Sequence, residues 1–252
     1  MIPQASRVLE RIRRAVSSPQ SEVVLHADAV GDSSGAQLIA SSKEAQDLVT
    51  YLLAGCPAPP PHLLKRLTIL QHKQLGELSY KTVVETGTFM GQTIRELSAH
   101  FEACFTIELS VDLHKRAVAT LADRSNIKCL QGNSASIIPE ILAERKGEPI
   151  LFWLDAHYSG GITAGEGLDP LERELDAILS HPTKDHTILI DDARGLGITH
   201  ERIGQMVKDL GAFYSMTCFH DIIRLIPQSS VENRLSDFGM ARRIDSNSID
   251  TQ

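Results

Sequence analysis

From Lys81 onward the chain repeats one unit: a short apolar run, then an amphipathic stretch. The runs Thr82–Val84, Cys104–Ile107, Ile127–Leu130, Ile150–Leu154 and Thr187–Ile190 are strand-sized. Between them, Thr93–His100, Val111–Leu121, Ser134–Ala143 and Leu171–Leu179 carry helical spacing. Strands that are apolar throughout are buried on both faces, and alternation with helices makes the sheet parallel. The expected fold is therefore α/β, a doubly wound and mostly parallel sheet. Thr199–Leu210 adds a helix. Ala212–Phe219 and Ile222–Ile226 lie too close together for another crossover, which predicts an antiparallel pair and an antiparallel last strand.

Residues 1–78 read differently. Val8, Ile12 and Val16 recur at helical spacing among arginines, and a looser stretch, Ala27–Gly35, follows. Ser42–Leu53 reads as a helix capped by Ser42. Pro57, Pro59, Pro60 and Pro61 make a stiff break, after which Leu63, Leu64, Leu67, Leu70 and Leu75 support a further helix. The organisation expected is a helical N-terminal appendage (1–78), an α/β domain (79–228) and a polar, mobile tail (229–252). The appendage covers the mouth of a pocket or makes a homodimer contact.

Composition narrows the function. With 25 basic and 32 acidic residues the net charge is −7, which weighs against a phosphate backbone as partner. No apolar run approaches the ~18–20 residues a bilayer demands. No apolar stretch follows Arg7, Arg11, Arg13 and Arg14, so no secretory leader is expected. Cys56, Cys104, Cys129 and Cys218 fit neither a zinc knuckle nor a disulfide scaffold; reduced thiols in a cytoplasmic protein are the expectation.

The carboxylates carry most of the functional information. Glu85 follows the first parallel strand, Glu108 the second, Asp155 the fourth, and Asp191 with Asp192 the fifth. Strand carboxyl ends share one edge, where doubly wound folds bind ligands. The first turn, Glu85-Thr86-Gly87-Thr88-Phe89-Met90-Gly91, has Phe89 where a dinucleotide-binding turn has its second glycine. Glu85 also puts negative charge where phosphates sit, and so favours an ammonium group. Glu108 comes 23 residues later, near the spacing at which an acid accepts hydrogen bonds from ribose hydroxyls. Asn133 and Ser134, after the third strand, either read an adenine edge or cap the next helix.

Glu85-x-Gly-x-x-x-Gly, Glu108, Gly132-Asn133-Ser134 and Asp155, closed by an antiparallel last strand, resemble the class I S-adenosylmethionine-dependent methyltransferases over Lys81–Pro227. The later part looks more like metal-dependent macrocin/sugar-type O-methyltransferases, with an acid after strand four and an Asp-Asp pair after strand five. The resemblance implies a seven-stranded Rossmann-like methyltransferase fold. It places Glu85 and Gly87 against the methionine part, Glu108 against the ribose, and Asn133 and Ser134 against the adenine. Thr88, Gly91, Leu109 and Asp155 complete the implied cofactor-binding set.

A second constellation follows strands four and five. Asp155, Asp191 and Asp192 would converge and repel, and a hard cation such as Mg²⁺ would relieve them. The alternative is that Arg194 pairs with one carboxylate while Asp192 caps the following turn. His157 stands where the resembling enzymes keep the residue that deprotonates the acceptor hydroxyl, with Asp155 beside it; an imidazole suits that task. The glycines of Ser159–Gly167 suit a closing lid. The activity expected is methyl transfer to a hydroxyl of a small molecule. A nucleotide-dependent oxidoreductase and a non-catalytic nucleoside-binding module are the competing readings.

Overall fold

The computed structural model describes residues 22–26, 37–75, 78–155 and 170–228. The described chain opens with an antiparallel pair, β1 (Glu22–His26) and β2 (Gln37–Ser41), then helices α1 (Ser42–Leu53) and α2 (His62–Gln71). A two-residue antiparallel pair follows, β3 (Gln74–Leu75) and β4 (Leu78–Ser79). The α/β part runs β5 (Thr82–Thr86), α3 (Gln92–Leu97), β6 (Ala103–Glu108), α4 (Val111–Leu121), β7 (Ile127–Gln131), α5 (Ser134–Glu144), β8 (Ile150–Leu154). It continues with α6 (Leu171–Ser180), β9 (Thr187–Ile190), α7 (His200–Asp209), β10 (Tyr214–Phe219) and β11 (Ile222–Pro227).

Seven strands form the main sheet in the order β10-β11-β9-β8-β5-β6-β7. The five from β5 to β9 are mutually parallel, and β11 enters antiparallel between β9 and β10. This is the mostly parallel, doubly wound sheet with an antiparallel last strand that the apolar runs imply. The order reverses beside β5, where a doubly wound sheet opens a crevice.

Strand alternation divides the core. Along β8, Leu151 and Trp153 join Val83, Cys104 and Leu189 in the layer packed by α1, α2, α3 and α4. Ile150, Phe152 and Leu154 face the opposite layer, packed by α5, α6 and α7. Period-two alternation with both faces covered accounts for five consecutive buried residues in β8 and in β5.

Several details differ from the sequence reading: the helix expected over Thr93–His100 ends at Leu97, and the strand expected from Ala212 starts at Tyr214. The cap of α1 is Ser41, not Ser42: its hydroxyl accepts from the Glu44 amide at 3.2 Å while the Glu44 carboxylate accepts from the Ser41 amide at 3.0 Å. That reciprocal pair satisfies two donors that a helix start leaves open. The appendage also carries strands: β1 pairs with β2, and Leu75 ends in β3 after α2 stops at Gln71. Val8, Ile12 and Val16 and the tail 229–252 lie outside the described residues. All four cysteines are free thiols. Among the described residues no helix is long and apolar enough to cross a membrane.

Candidate functional site

Register puts the acids on one edge and one face. Thr86 pairs with Ile107 and with Leu154, and Leu154 pairs with Ile190. Glu108, Asp155 and Asp191 thus each stand one residue past that row, and Glu85 one residue before it. Counting by twos from Val83, Cys104, Leu151 and Leu189, all four fall on the face packed by α1 to α4. Glu85 is the fourth residue of β5 and not a residue after it, so it lies deeper than the sequence suggests.

Depth sets its chemistry. The Glu85 side chain is buried, and burial raises its pKa from 4.5 to about 8. The Thr106 hydroxyl, donating to Glu85 Oε2 at 2.6 Å, opposes the rise, while Asp155 and Glu108 add to it. Thr106 Oγ1 also meets Thr88 Oγ1 at 2.6 Å, so a hydroxyl relay ties Glu85 to the turn. Thr106 escaped the sequence reading, although it stands two residues before Glu108 and must share its face.

The turn itself is held by β6. The amides of Gly87 and Thr88 both donate to the Ile107 carbonyl. Gly87 takes φ +82°, Phe89 φ +49° and Gly91 φ +75°. Phe89 occupies the left-handed region that favours glycine, and its ring is half exposed beside Met90. What holds it there is Glu108: Oε2 accepts from the Phe89 amide at 2.8 Å, and Oε1 accepts from the Ser110 amide at 2.9 Å. Each carboxylate oxygen keeps a second lone-pair site. Leu109 follows, partly exposed, its carbonyl accepting from Gln131 Nε2.

On the far flank of β6, Gly132 donates its amide to the Glu108 carbonyl, which places the Gly-Asn-Ser segment beside the end of that strand. Asn133 caps α5, its Oδ1 accepting from the Ala135 amide at 2.9 Å, and Ser134 is buried as the first helical residue. Asp155 is positioned by Thr86, whose carbonyl and hydroxyl both accept from its amide.

The Asp-Asp pair is engaged by the chain's own cations. Lys65 of α2 reaches across and binds Asp191 Oδ2, with Asp192 Oδ1 3.9 Å from the same ammonium. Asp191 is fully buried; its Oδ1 accepts from the Asp192 amide at 2.9 Å. Burial lifts the Asp191 carboxyl above its ordinary value against the pull of Lys65. Burial pulls the Lys65 ammonium down, but Asp191, Asp155 and Asp192 outweigh that and hold it above its ordinary value. Asp192 adopts φ +48° and heads a turn, its carbonyl accepting from Gly195. Arg194 pairs with Asp221 and stands 3.7 Å from Asp192.

This arrangement does not fit a divalent cation held by Asp155, Asp191 and Asp192. The Lys65 ammonium sits on Asp191 Oδ2 and 3.9 Å from Asp192 Oδ1, where a dication would meet its repulsion, and among the described residues no group of three or more His, Cys, Asp or Glu side chains is placed to hold a metal. A cation of the chain itself already pairs with carboxylates for which the sequence reading expects a metal. Lys65 is not among the candidates read from the sequence, since its partner Asp191 lies 126 residues further along the chain. His157 and the glycine-rich Ser159–Gly167 lie outside the described residues.

No protein-family model matches the chain, and no curated protein matches it. Solved structures similar to it include the O-methyltransferase TomG from Streptomyces achromogenes, involved in tomaymycin synthesis and in complex with SAM. It is 13% identical, with 90% of this chain and 100% of that one covered at a TM-score of 0.41. An O-methyltransferase from Bacillus cereus in complex with SAH is 14% identical over 74% and 91%, at 0.41. The 23S rRNA methyltransferase ErmE is 18% identical over 71% and 78%, at 0.42. Likenesses this distant carry no argument about what this chain acts on.

Proposed function

We propose that the chain is an S-adenosylmethionine-dependent methyltransferase acting on a hydroxyl of a small molecule. The observation that carries this reading is the pair Glu85 and Glu108. They stand on neighbouring parallel strands, on one face, at the crevice, bracketing the turn Gly87–Gly91. A pyrophosphate would meet a carboxylate below and the Phe89 side chain where backbone must approach. A ligand bearing an ammonium and a ribose meets two acceptors suited to it. The seven-stranded, mostly parallel sheet and its antiparallel last strand are those expected from the resemblance to class I methyltransferases.

In this reading Glu85 holds the amino group of the methionine part, giving up the proton that burial otherwise keeps on it to about pH 8. Glu108 offers its second lone pairs to the ribose diol while its first pairs fix the turn. The Asn133 side chain, oriented by its cap to Ala135, and Ser134 flank the adenine. S-adenosylmethionine supplies an electrophilic methyl group on a sulfonium. His157 takes the acceptor's hydroxyl proton as the oxygen becomes nucleophilic, and Asp155 stands two residues before it. Aligning the two reactants can account for about 7–11 kcal/mol of barrier lowering.

Calorimetric titration with S-adenosylhomocysteine tests the reading, with NADH as competitor. Binding that weakens in Glu108→Ala and ignores NADH is expected. Failure to bind, or tighter binding of NADH, would overturn it. Methyl transfer from labelled donor to a panel of hydroxylated acceptors should fall in His157→Ala while S-adenosylhomocysteine binding stays.

A further inference from the structure

The acidic edge already contains a cation. We propose that Lys65 is the resident counter-charge of this site, taking the place of a divalent metal, so that the hydroxyl acceptor is handled next to a fixed ammonium. This rests on the methyltransferase reading for the identity of the acceptor, and on the geometry alone for the exclusion of metal.

Three observations converge. Asp191 is fully buried, and an isolated buried carboxylate is very costly unless paired; Lys65 pairs it. Lys65 holds one Asp191 oxygen and the Asp192 amide the other, so a metal using the remaining lone pairs at the 2.0–2.6 Å of hard-cation ligation would lie directly beside the ammonium. The lysine is also held in place. Leu63, Leu67 and Leu70 of the same helix are buried in the core. Its neighbour Arg66 is 1% exposed, hydrogen-bonded to Glu44 at 2.6 Å and paired with Glu96. A side chain on so anchored a helix serves as a permanent charge and not as an occasional visitor.

Removing the ammonium should therefore open the site to metal. Mn²⁺ is titrated into the full chain and followed by electron paramagnetic resonance, for wild type, Lys65→Met, Lys65→Gln, Asp191→Asn and the double variant Lys65→Met/Asp191→Asn. The expected result is weak binding to wild type and an affinity gain of about tenfold or more in Lys65→Met, because a dication no longer faces an ammonium. The gain should vanish in the double variant. Wild type binding Mn²⁺ tightly, with the affinity lost in Asp191→Asn, overturns the proposal. So does a folded Lys65→Met, judged by circular dichroism, whose Mn²⁺ affinity equals wild type. Lys65→Gln answers the same question if the methionine variant fails to fold, and the wild-type comparison with Asp191→Asn decides it if both fail. A parallel titration with S-adenosylhomocysteine reads the nucleoside site alone, which separates failure of this inference from failure of the methyltransferase reading.

Discussion

Exchanging Glu85 for glutamine keeps the shape of the side chain and removes its titration. In the folded chain burial holds the Glu85 proton to about pH 8, whereas an exposed glutamate releases it near 4.5. Between those values the folded state binds the extra proton, so wild-type stability is fully present below about 4.5 and is lost progressively as pH rises to about 8. A rise from 4.5 to about 8 corresponds, at about 1.4 kcal/mol per pH unit, to about 5 kcal/mol, an upper bound if the site relaxes or admits water. Glu85→Gln escapes that loss. Its stability relative to wild type should be near zero at pH 5 and several kcal/mol favourable at pH 9, read from urea unfolding followed by circular dichroism. Binding should move the other way. S-adenosylhomocysteine carries an ammonium, so its affinity for wild type should rise with pH as Glu85 ionises, and the glutamine variant should bind more weakly with no such rise. Equal stability differences at pH 5 and pH 9 would refute the argument from burial.

Further outcomes follow from single residues. Gly91→Ala should destabilise by at least the ~1–2 kcal/mol of a left-handed non-glycine residue, because φ is +75° and the added carbon would lie 2.9 Å from Leu121 Cδ1; thermal unfolding measures it. Asn133→Ala should cost about 1 kcal/mol of helix cap. Asn133→Asp keeps the acceptor for Ala135 and should unfold like wild type, so a drop in S-adenosylhomocysteine affinity there isolates the adenine contact, and unchanged affinity removes it. Trp153→Ala, in the fully buried β8, should cost about 3–5 kcal/mol by denaturant titration.

Much of the sheet was legible because local pattern and tertiary demand agree. Val111–Leu121, Ile150–Leu154 and Thr187–Ile190 match their observed elements at both ends. The depth of Glu85 was not legible, since a polar residue after Val83-Val84 reads as a strand end until its neighbours β6 and β8 are known to cover it. The cap at Ser41 was available in the Ser41-x-x-Glu44 spacing and was obscured by a second serine beside it. Lys65 is a different kind of miss. Its partner is 126 residues away, and nothing local in the sequence announces that an ammonium from the appendage meets the carboxyl end of β9. Asn133 shows how an ambiguity can persist, since its cap is visible and its second role calls for a ligand.

Helix α2 serves stability and chemistry through one set of backbone atoms. Its leucines close one side of the sheet, and its lysine offsets the charge at the rim. Evolutionary or engineered change in this region is thereby constrained twice over: trimming the chain at residue 78 would strip an oily wall and strand an anion in the same cut.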